Sequence, residues 1–390
     1  MLIGIIGAPN KGKSTLFSAI TLNSVGIADY PFTTIKPNMG VAFATTECVD
    51  RSLGVRCKPR GASCKDGIRY IPINVIDVAG LVEGAHSGRG MGNQFLNDLA
   101  VADALILVID ASGKTDKSGN PCTSCNPLDD VDMVKNEIAE WIAGIIERHQ
   151  RKLYRNKEWA SELYRIMESI GMEREGVDSA IRRSGIVFGG EAQPYESVLN
   201  LSRLLVDISK KVFVCANKSD DKNAMTNMDG IKRSLDGNVM FCSAAIELAL
   251  RKADANGVIS YNPDSGKFSI LNNEISSEQR EALNYMRGFI DKGGTNVQRM
   301  INHVVFDILD NIVVYPVEDE NRYTDHYGNV LPDAILIRRG STVHDLASRI
   351  HTDLAKGMLY AIDARSKMRL GKDHILKNGD IIRVVSTLKS

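Results

Sequence analysis

The sequence predicts an α/β fold with a mostly parallel sheet, interrupted by a helical insertion and followed by a small mixed unit. Three observations carry that prediction. An apolar run, Met1-Leu2-Ile3-Gly4-Ile5-Ile6, leads into Gly7-Ala8-Pro9-Asn10-Lys11-Gly12-Lys13-Ser14 and then into a segment of helix type over 15–20. Continuous apolar runs recur at 71–76, 104–110 and 212–216, the pattern of strands buried on both faces of a parallel sheet. Val131, Val134, Ile138, Trp141 and Ile145 follow the alternating three- and four-residue spacing of a helix seam.

Bulk composition narrows the class. At 390 residues the chain has room for two or three domains with cores of their own. Lys+Arg and Asp+Glu both number 48, so bulk charge draws it to neither nucleic acid nor membrane, and any such partner must be met by a local patch. No apolar run reaches transmembrane length. The N-terminus lacks the basic region and cleavage site of a signal peptide, so a cytoplasmic protein without membrane contact is expected. The 7 cysteines, an odd count, fit reduced thiols better than a disulfide framework.

The first loop reads as a phosphate cradle. Gly7 and Gly12 let backbone N–H groups converge on phosphate oxygens, and the next helix points its positive end at the same place. Lys13 can bridge β- and γ-phosphates, and the Ser14 hydroxyl can bind Mg²⁺. In Asp29-Tyr30-Pro31-Phe32-Thr33-Thr34-Ile35-Lys36-Pro37-Asn38, a threonine can offer its hydroxyl to Mg²⁺ and its N–H to the γ-phosphate; an ordinary Pro-bounded loop is the alternative. Asp77-Val78-Ala79-Gly80 closes the strand at 71–76. There Asp77 can hold a water on Mg²⁺, and Gly80 can approach the γ-phosphate. Leu81 stands where Ras-like GTPases carry the water-orienting glutamine, so hydrolysis must orient water another way. The glycine-rich segment up to Asn93 reads as a second mobile switch, with His86 and Arg89 as weak catalytic candidates. Asn217-Lys218-Ser219-Asp220 is a guanine reader: Asp220 can accept from both N1–H and N2–H₂, a donor pair that adenine lacks. The N–H groups of Ser243-Ala244-Ala245 can meet the guanine carbonyl. Nucleotide contacts are therefore expected from Asn10, Lys11, Gly12, Lys13, Ser14, Thr15, Asn217, Lys218, Asp220, Ser243 and Ala244.

On these motifs, together with Tyr30-Pro31-Phe32-Thr33-Thr34-Ile35 and Gly88-Arg89-Gly90-Met91-Gly92-Asn93-Gln94-Phe95-Leu96, essentially the whole chain resembles the Obg-like GTPases, in particular the YchF subfamily in its archaeal form. The resemblance implies a P-loop GTPase domain that hydrolyses GTP, with Thr34 as the switch threonine. Lys13, Thr34 and Gly80 are then the catalytic residues, and Ser14, Thr34 and (through water) Asp77 hold Mg²⁺. It also places Leu81 among the GTPases whose catalytic glutamine is replaced by a hydrophobic residue. Many relatives carry Asn-x-x-Glu at the base-reading motif and prefer ATP; the intact Asn217-Lys218-Ser219-Asp220 points to GTP. Asn10 occupies the loop position that in other GTPases ligates K⁺, an ion that supplies the positive charge of an arginine finger, although an asparagine also simply suits a turn.

The expected boundaries are 1–127 and 206–310 for the GTPase domain with a helical extension, 128–205 for the inserted helical arm, and 311–390 for the last domain. The arm's further seams are Trp159, Leu163, Ile166, Ile170 and Val198, Leu201, Leu205, Ile208. Its exposed-type run of Arg148, Arg151, Lys152, Arg155 and Lys157 either touches phosphate backbone or is a solvated face. Cys57, Cys64, Cys122 and Cys125 offer a four-thiolate zinc set, in which Cys122 and Cys125 form a Cys-x₂-Cys pair but Cys57 and Cys64, seven apart, have the wrong spacing for the usual knuckle. Ser276 to Gln279 reads as a capping signal. Strands at 312–317 and 334–337, a helix capped by Thr342 and a final strand at 379–385 resemble a TGS domain, a small β-grasp module; its mild basic excess is consistent with RNA contact. His351 and Asp353 there read as structural. The whole suggests a monomeric GTP/GDP switch that binds the ribosome, rRNA or tRNA through the arm and the TGS domain. The rivals are an ATP-hydrolysing relative and a nucleotide-regulated protein-binding regulator without ribosome contact.

Overall fold

The computed structural model describes residues 1–22, 38–60, 63–78, 84, 99–272 and 275–387. In chain order, β1 (Leu2–Ile6), α1 (Lys13–Thr21), β2 (Met39–Glu47), α2 (Asp50–Leu53), β3 (Ser63–Lys65), β4 (Ile68–Asp77) and β5 (Ala104–Asp110) precede the insertion. The insertion holds α3 (Leu128–Arg155), α4 (Trp159–Glu168), α5 (Arg174–Ser184) and α6 (Tyr195–Ser209). Next come β6 (Val212–Asn217), α7 (Lys222–Leu235), β7 (Val239–Phe241), α8 (Ala244–Ala255), β8 (Ile259–Asn262), β9 (Lys267–Ile270), α9 (Ser277–Ile290) and α10 (Val297–His303). The chain closes with β10 (Asn311–Pro316), β11 (Ile335–Arg338), α11 (Val343–Ile350), α12 (Thr352–Lys356), β12 (Met358–Asp363), β13 (Arg369–Leu370) and β14 (Ile381–Ser386).

These elements form two compact units, one built mainly from Met1–Leu22 and Asn74–Met300, the other from Ala42–Ile73 and Ile301–Ser390. In the first, β4, β1, β5, β6 and β7 lie side by side in that order, every pairing parallel. The apolar runs in the sequence become these strands because both faces are covered: every residue of β5 is buried. Parallel pairing brings the carboxyl ends of the strands to one edge, and Gly7, Asp77, Asp110 and Asn217 stand there together. This is the mostly parallel sheet that the sequence predicts.

The α3 seam is buried as its spacing requires, with Val134 and Ile138 at 0% and 1% exposure. α3 packs on α6 and α4, and α5 packs on α6. The insertion does not pack only on itself. Its Val134, Ile138, Leu201 and Leu205 belong to one continuous core with Leu107 and Ile109 of β5. Burying each such side chain is worth about 1.5–3 kcal/mol, so the insertion is tied to the sheet by its apolar face. α5 carries no seam in the sequence reading; it buries only Val177 and Ala180. The capping box at Ser276 and Gln279 opens α9 as expected.

In the second unit, β3 and β4 form a hairpin through Asp66 and Gly67, which both take positive φ, 54° and 78°. A mixed sheet runs β11-β10-β14-β12-β13, with β10 and β14 parallel and the other pairs antiparallel. α11 is capped by Thr342 in a box with Asp345 and packs Val343, Leu346 and Ala347 against Ile312, Val314 and Ile382. This is the β-grasp arrangement of a TGS domain; β12, β13 and α12 are absent from the sequence reading. No helix among the described residues is long and apolar enough to cross a membrane.

Candidate nucleotide site

Gly7 ends β1 with φ 142°, and a Cβ there would lie 2.4 Å from the Val108 carbonyl oxygen. Only glycine lets β1 turn into the loop at that approach. Gly12 closes the loop at φ 92°, where a Cβ would lie 2.3 Å from Asn217 Nδ2. Gly12 has no side chain to cap α1, which leaves the first-turn N–H groups to an anionic ligand, with Thr15 in the same turn.

The two lysines of the loop diverge. Lys13 Nζ donates to the Ala8 carbonyl at 2.8 Å, folded over the loop it would serve. Burial pulls it below the ordinary lysine value, and the Asp77 carboxylate offsets part of that shift. Lys11 turns the other way. Its Nζ is fully buried, pairs with Asp130 at 2.8 Å, and donates to Thr115 Oγ1, the Thr115 carbonyl and the Asp116 carbonyl. Of the expected nucleotide contacts, Lys11 therefore keeps its side chain for the scaffold, and only its backbone remains on the loop.

Ser14 and Asp77 come together as expected. Ser14 Oγ donates to Asp77 Oδ2 at 3.0 Å, and the Asp77 N–H is anchored on the Asn38 carbonyl. Desolvation raises the Asp77 carboxyl above its usual range, against the opposing pull of Ser14 and Lys13. A hydroxyl beside a half-buried carboxylate is an oxygen pair that suits a hard cation. Thr34, Gly80, Leu81, His86 and Arg89 lie outside the described residues. Gly84 is described, and its N–H donates to Glu137 Oε1 of α3 at 2.7 Å.

At the far end, Asn217 staples two loops. Its Nδ2 donates to the Lys11 carbonyl at 2.9 Å, and its Oδ1 accepts from the Ala244 N–H at 3.0 Å. Lys218 takes φ 63° and reaches back to Asp110 Oδ2 at 2.8 Å and to the Asn10 carbonyl at 3.0 Å. Asp220, half-exposed, has one oxygen held by Ser243 Oγ at 2.6 Å, and Ser243 in turn caps α8. The amides expected to meet a guanine carbonyl are used inside the protein: Ser243 N–H donates to the Thr295 carbonyl, and Ala244 N–H to Asn217. Ala245, exposed in the first turn of α8, carries the next amide along.

Several contributors escape a motif reading. Asp110 is buried at the end of β5 and accepts from Ser112, Thr115 and Lys218. Burial alone would raise its carboxyl, but those donors, with Lys218 foremost, hold it below the usual range. The stretch after β5 folds over the phosphate loop, where Asn10 Nδ2 donates to the Gly119 carbonyl at 2.9 Å. Behind the base end, Glu247 is fully buried and accepts from Arg251, Tyr261 and Thr295, which braces the loop that holds Ser243. The only signal for Asp110 is its place at the end of a buried strand.

The cysteines need a correction. Cys122 and Cys125 are joined in a disulfide, whereas Cys48, Cys57, Cys64, Cys215 and Cys242 are free. The reduced-thiol expectation fails for that pair, and the set Cys57, Cys64, Cys122 and Cys125 does not form. Bonded to each other across three residues, the two sulfurs are no longer available as thiolate ligands.

Known proteins resemble the chain over its whole length. Residues 2–156 match a family described as 50S ribosome-binding GTPase, residues 215–319 the G4 motif-containing domain of YGR210-like Obg-like GTPases, and residues 327–386 the TGS domain. The chain is 45% identical to the uncharacterized GTP-binding protein MJ1332 of Methanocaldococcus jannaschii, covering 100% of both. It is 27% identical to a protein of Mycoplasma genitalium named ribosome-binding ATPase YchF, over 97% of each. A crystal structure of a GTP binding protein from Pyrococcus horikoshii superposes with a TM-score of 0.75 at 34% identity, covering 99% of this chain and 100% of that one.

Proposed function

The chain belongs to the Obg-like GTPases of the YchF type, and from that premise we propose that it is a switch that binds GTP and hydrolyses it to GDP and phosphate. The observation that carries the choice of base is Asp220, presented half-exposed at the end of β6 and oriented by Ser243. Guanine pairs with such a carboxylate, whereas adenine would leave it desolvated and unpaired. The relative named an ATPase favours the rival reading. Calorimetry of GTP against ATP tests the two: selective binding of GTP, weakened in Asp220→Glu, is the expected result, and tighter ATP binding overturns it.

Mg²⁺ would be held by Ser14 and, through water, Asp77, with Thr34 as a further ligand, and would neutralise charge on the β- and γ-phosphate oxygens. Lys13 would leave the Ala8 carbonyl for the phosphates, gaining the counter-charge that its burial lacks. Thr34 and Gly80 are assigned to the γ-phosphate, and Asn10 to K⁺. Equal turnover in K⁺ and Na⁺ buffers would remove the Asn10 assignment.

The partner proposed is the ribosome, in the cytoplasm, with the protein acting as a monomer. It rests on the names of the relative and of the family matched at 2–156. The exposed Arg148, Arg151, Lys152, Arg155 and Lys157 at the end of α3 support an RNA-facing insertion. The bond from Gly84 to Glu137 supports a link from the expected switch segment to that helix. Sedimentation with ribosomal subunits, in GDP and in a non-hydrolysable GTP analogue, tests the partner. Co-pelleting only with the analogue is expected; its absence favours a protein-binding regulator.

A further inference from the structure

Three cysteines and an aspartate of the second unit converge on one point, and the nucleotide chemistry uses none of them. Cys48 follows β2, Asp50 opens α2, Cys57 lies in the loop beyond α2, and Cys64 is the middle residue of β3. Their three Sγ atoms and one carboxylate oxygen all lie within 4.8 Å of one another. Cys48 Sγ and Cys57 Sγ are 3.8 Å apart, and Cys64 Sγ is 3.9 Å from Asp50 Oδ2. A tetrahedral zinc, with Zn–S about 2.3 Å and Zn–O about 2.0 Å, spaces its ligand atoms about 3.5–3.8 Å apart.

The backbone holds this arrangement. Cys48 N–H donates to the Gly67 carbonyl at 2.8 Å, clasping the end of β2 to the turn of the β3–β4 hairpin. Asp50 Oδ1 accepts from the Arg51 N–H at 2.8 Å, which aims Oδ2 toward Cys57 and Cys64. Lys58 N–H is tied to the Val330 carbonyl and fixes the segment that carries Cys57.

A second feature points to an anionic centre. Arg69 is the cross-strand partner of Cys64 and is fully buried. Its Nη2 donates to the Pro332 carbonyl and its guanidinium lies 6.0 Å from the Tyr315 ring centroid, but its Nε and Nη1 have no hydrogen-bond partner among the described residues. A buried guanidinium without a counter-anion costs several kcal/mol. A divalent ion ligated by three thiolates and a carboxylate carries net negative charge and supplies that counter-anion.

We propose that Cys48, Asp50, Cys57 and Cys64 form a structural zinc site that pins β2, α2 and the β3–β4 hairpin together. Thiolates select against Mg²⁺ and Ca²⁺, and four protein ligands close the coordination sphere, so the site holds structure rather than substrate. Its function is independent of the nucleotide loop.

The test uses the full untagged chain, expressed with zinc and purified under reducing conditions without chelator. Elemental analysis is expected to find about one zinc per chain, as a closed four-ligand site demands. Replacing zinc by Co²⁺ should give thiolate-to-cobalt charge-transfer bands and the intense visible bands of tetrahedral cobalt; Co²⁺ at Ser14 and Asp77 would give neither. Cys57→Ser should weaken those bands and lower zinc affinity by at least about 10-fold. Cys242→Ser, outside the cluster, should leave both unchanged. Wild-type protein that is free of zinc and shows no thiolate band with Co²⁺ overturns the proposal, as does a Cys57→Ser variant with unchanged bands. If the cysteine variants do not fold, the wild-type measurements decide alone.

Discussion

At the phosphate end of the candidate site, Lys11 is buried among four oxygens, while Gly7 and Gly12 sit where a Cβ would strike backbone or Asn217. At the base end, Asp220 is half-exposed and one serine holds it. The phosphate cradle is a shape made by backbone, and a buried ion pair and close glycine contacts keep it. The proposed base reader is a single carboxylate held by one serine. A change at the first end should therefore damage folding or all nucleotide binding, and a change at the second should alter only the choice of base.

The largest effect is expected from Lys11→Met, which strands the Asp130 carboxylate in the interior. Breaking one side of a buried pair costs about 3–5 kcal/mol, which chemical denaturation would measure. Lys11→Met with Asp130→Leu should recover most of it; a single variant as stable as wild type would show that the cradle is not braced there. Next, Gly12→Ala combines a strained φ with a clash on Asn217. At about 2–3 kcal/mol it should weaken GTP and ATP alike by about 100-fold in calorimetry. A loss confined to GTP would mean that Asn217 serves the base end alone.

Asp220→Ala should be smaller and selective. GTP affinity falls about 10- to 100-fold for the lost charged hydrogen bonds, thermal stability changes little, and ATP binding does not weaken and gains from the removal of a carboxylate that adenine leaves unpaired. Equal losses of GTP and ATP would erase the contrast between the two ends. The smallest effects are in pH. Asp110 is held below its unfolded value, so its contribution is present above about pH 4 and is lost as pH falls through the folded value. Asp77 is raised, so its contribution is largest at acid pH and declines as pH rises above about 4. In nucleotide-free protein at neutral pH, Asp110→Asn should thus lower the melting temperature and Asp77→Asn should raise it. Shifts of the same sign would refute the assigned causes.

The phosphate loop, Asp77 and Asn217-Lys218-Ser219-Asp220 are legible in the sequence because each is a short contiguous motif at a strand end, and parallel strands bring those ends to one edge. The helix seams, the caps at Ser276 and Thr342, and most strands of the β-grasp sheet are legible for a similar reason: local spacing and local hydrogen bonding decide them. The destination of the Lys11 side chain is not legible in the motif, because its partners, Thr115 and Asp130, are supplied by a loop and a helix far along the chain. Asp110 looks like the last residue of an apolar run until Lys218 is brought to it by β5–β6 pairing.

The cysteines draw the same line. The sequence offers Cys57 and Cys64 with Cys122 and Cys125, yet the latter two bond to each other, and the residues that meet Cys57 and Cys64 are Cys48 and Asp50. By itself the sequence determined the fold class, the nucleotide loop and the base-reading motif, because backbone conformation and strand burial depend on residues near one another. Only the tertiary structure decided which charges are buried together, which amides are already used and which thiols meet. Those depend on distances between residues that the chain separates and the fold unites.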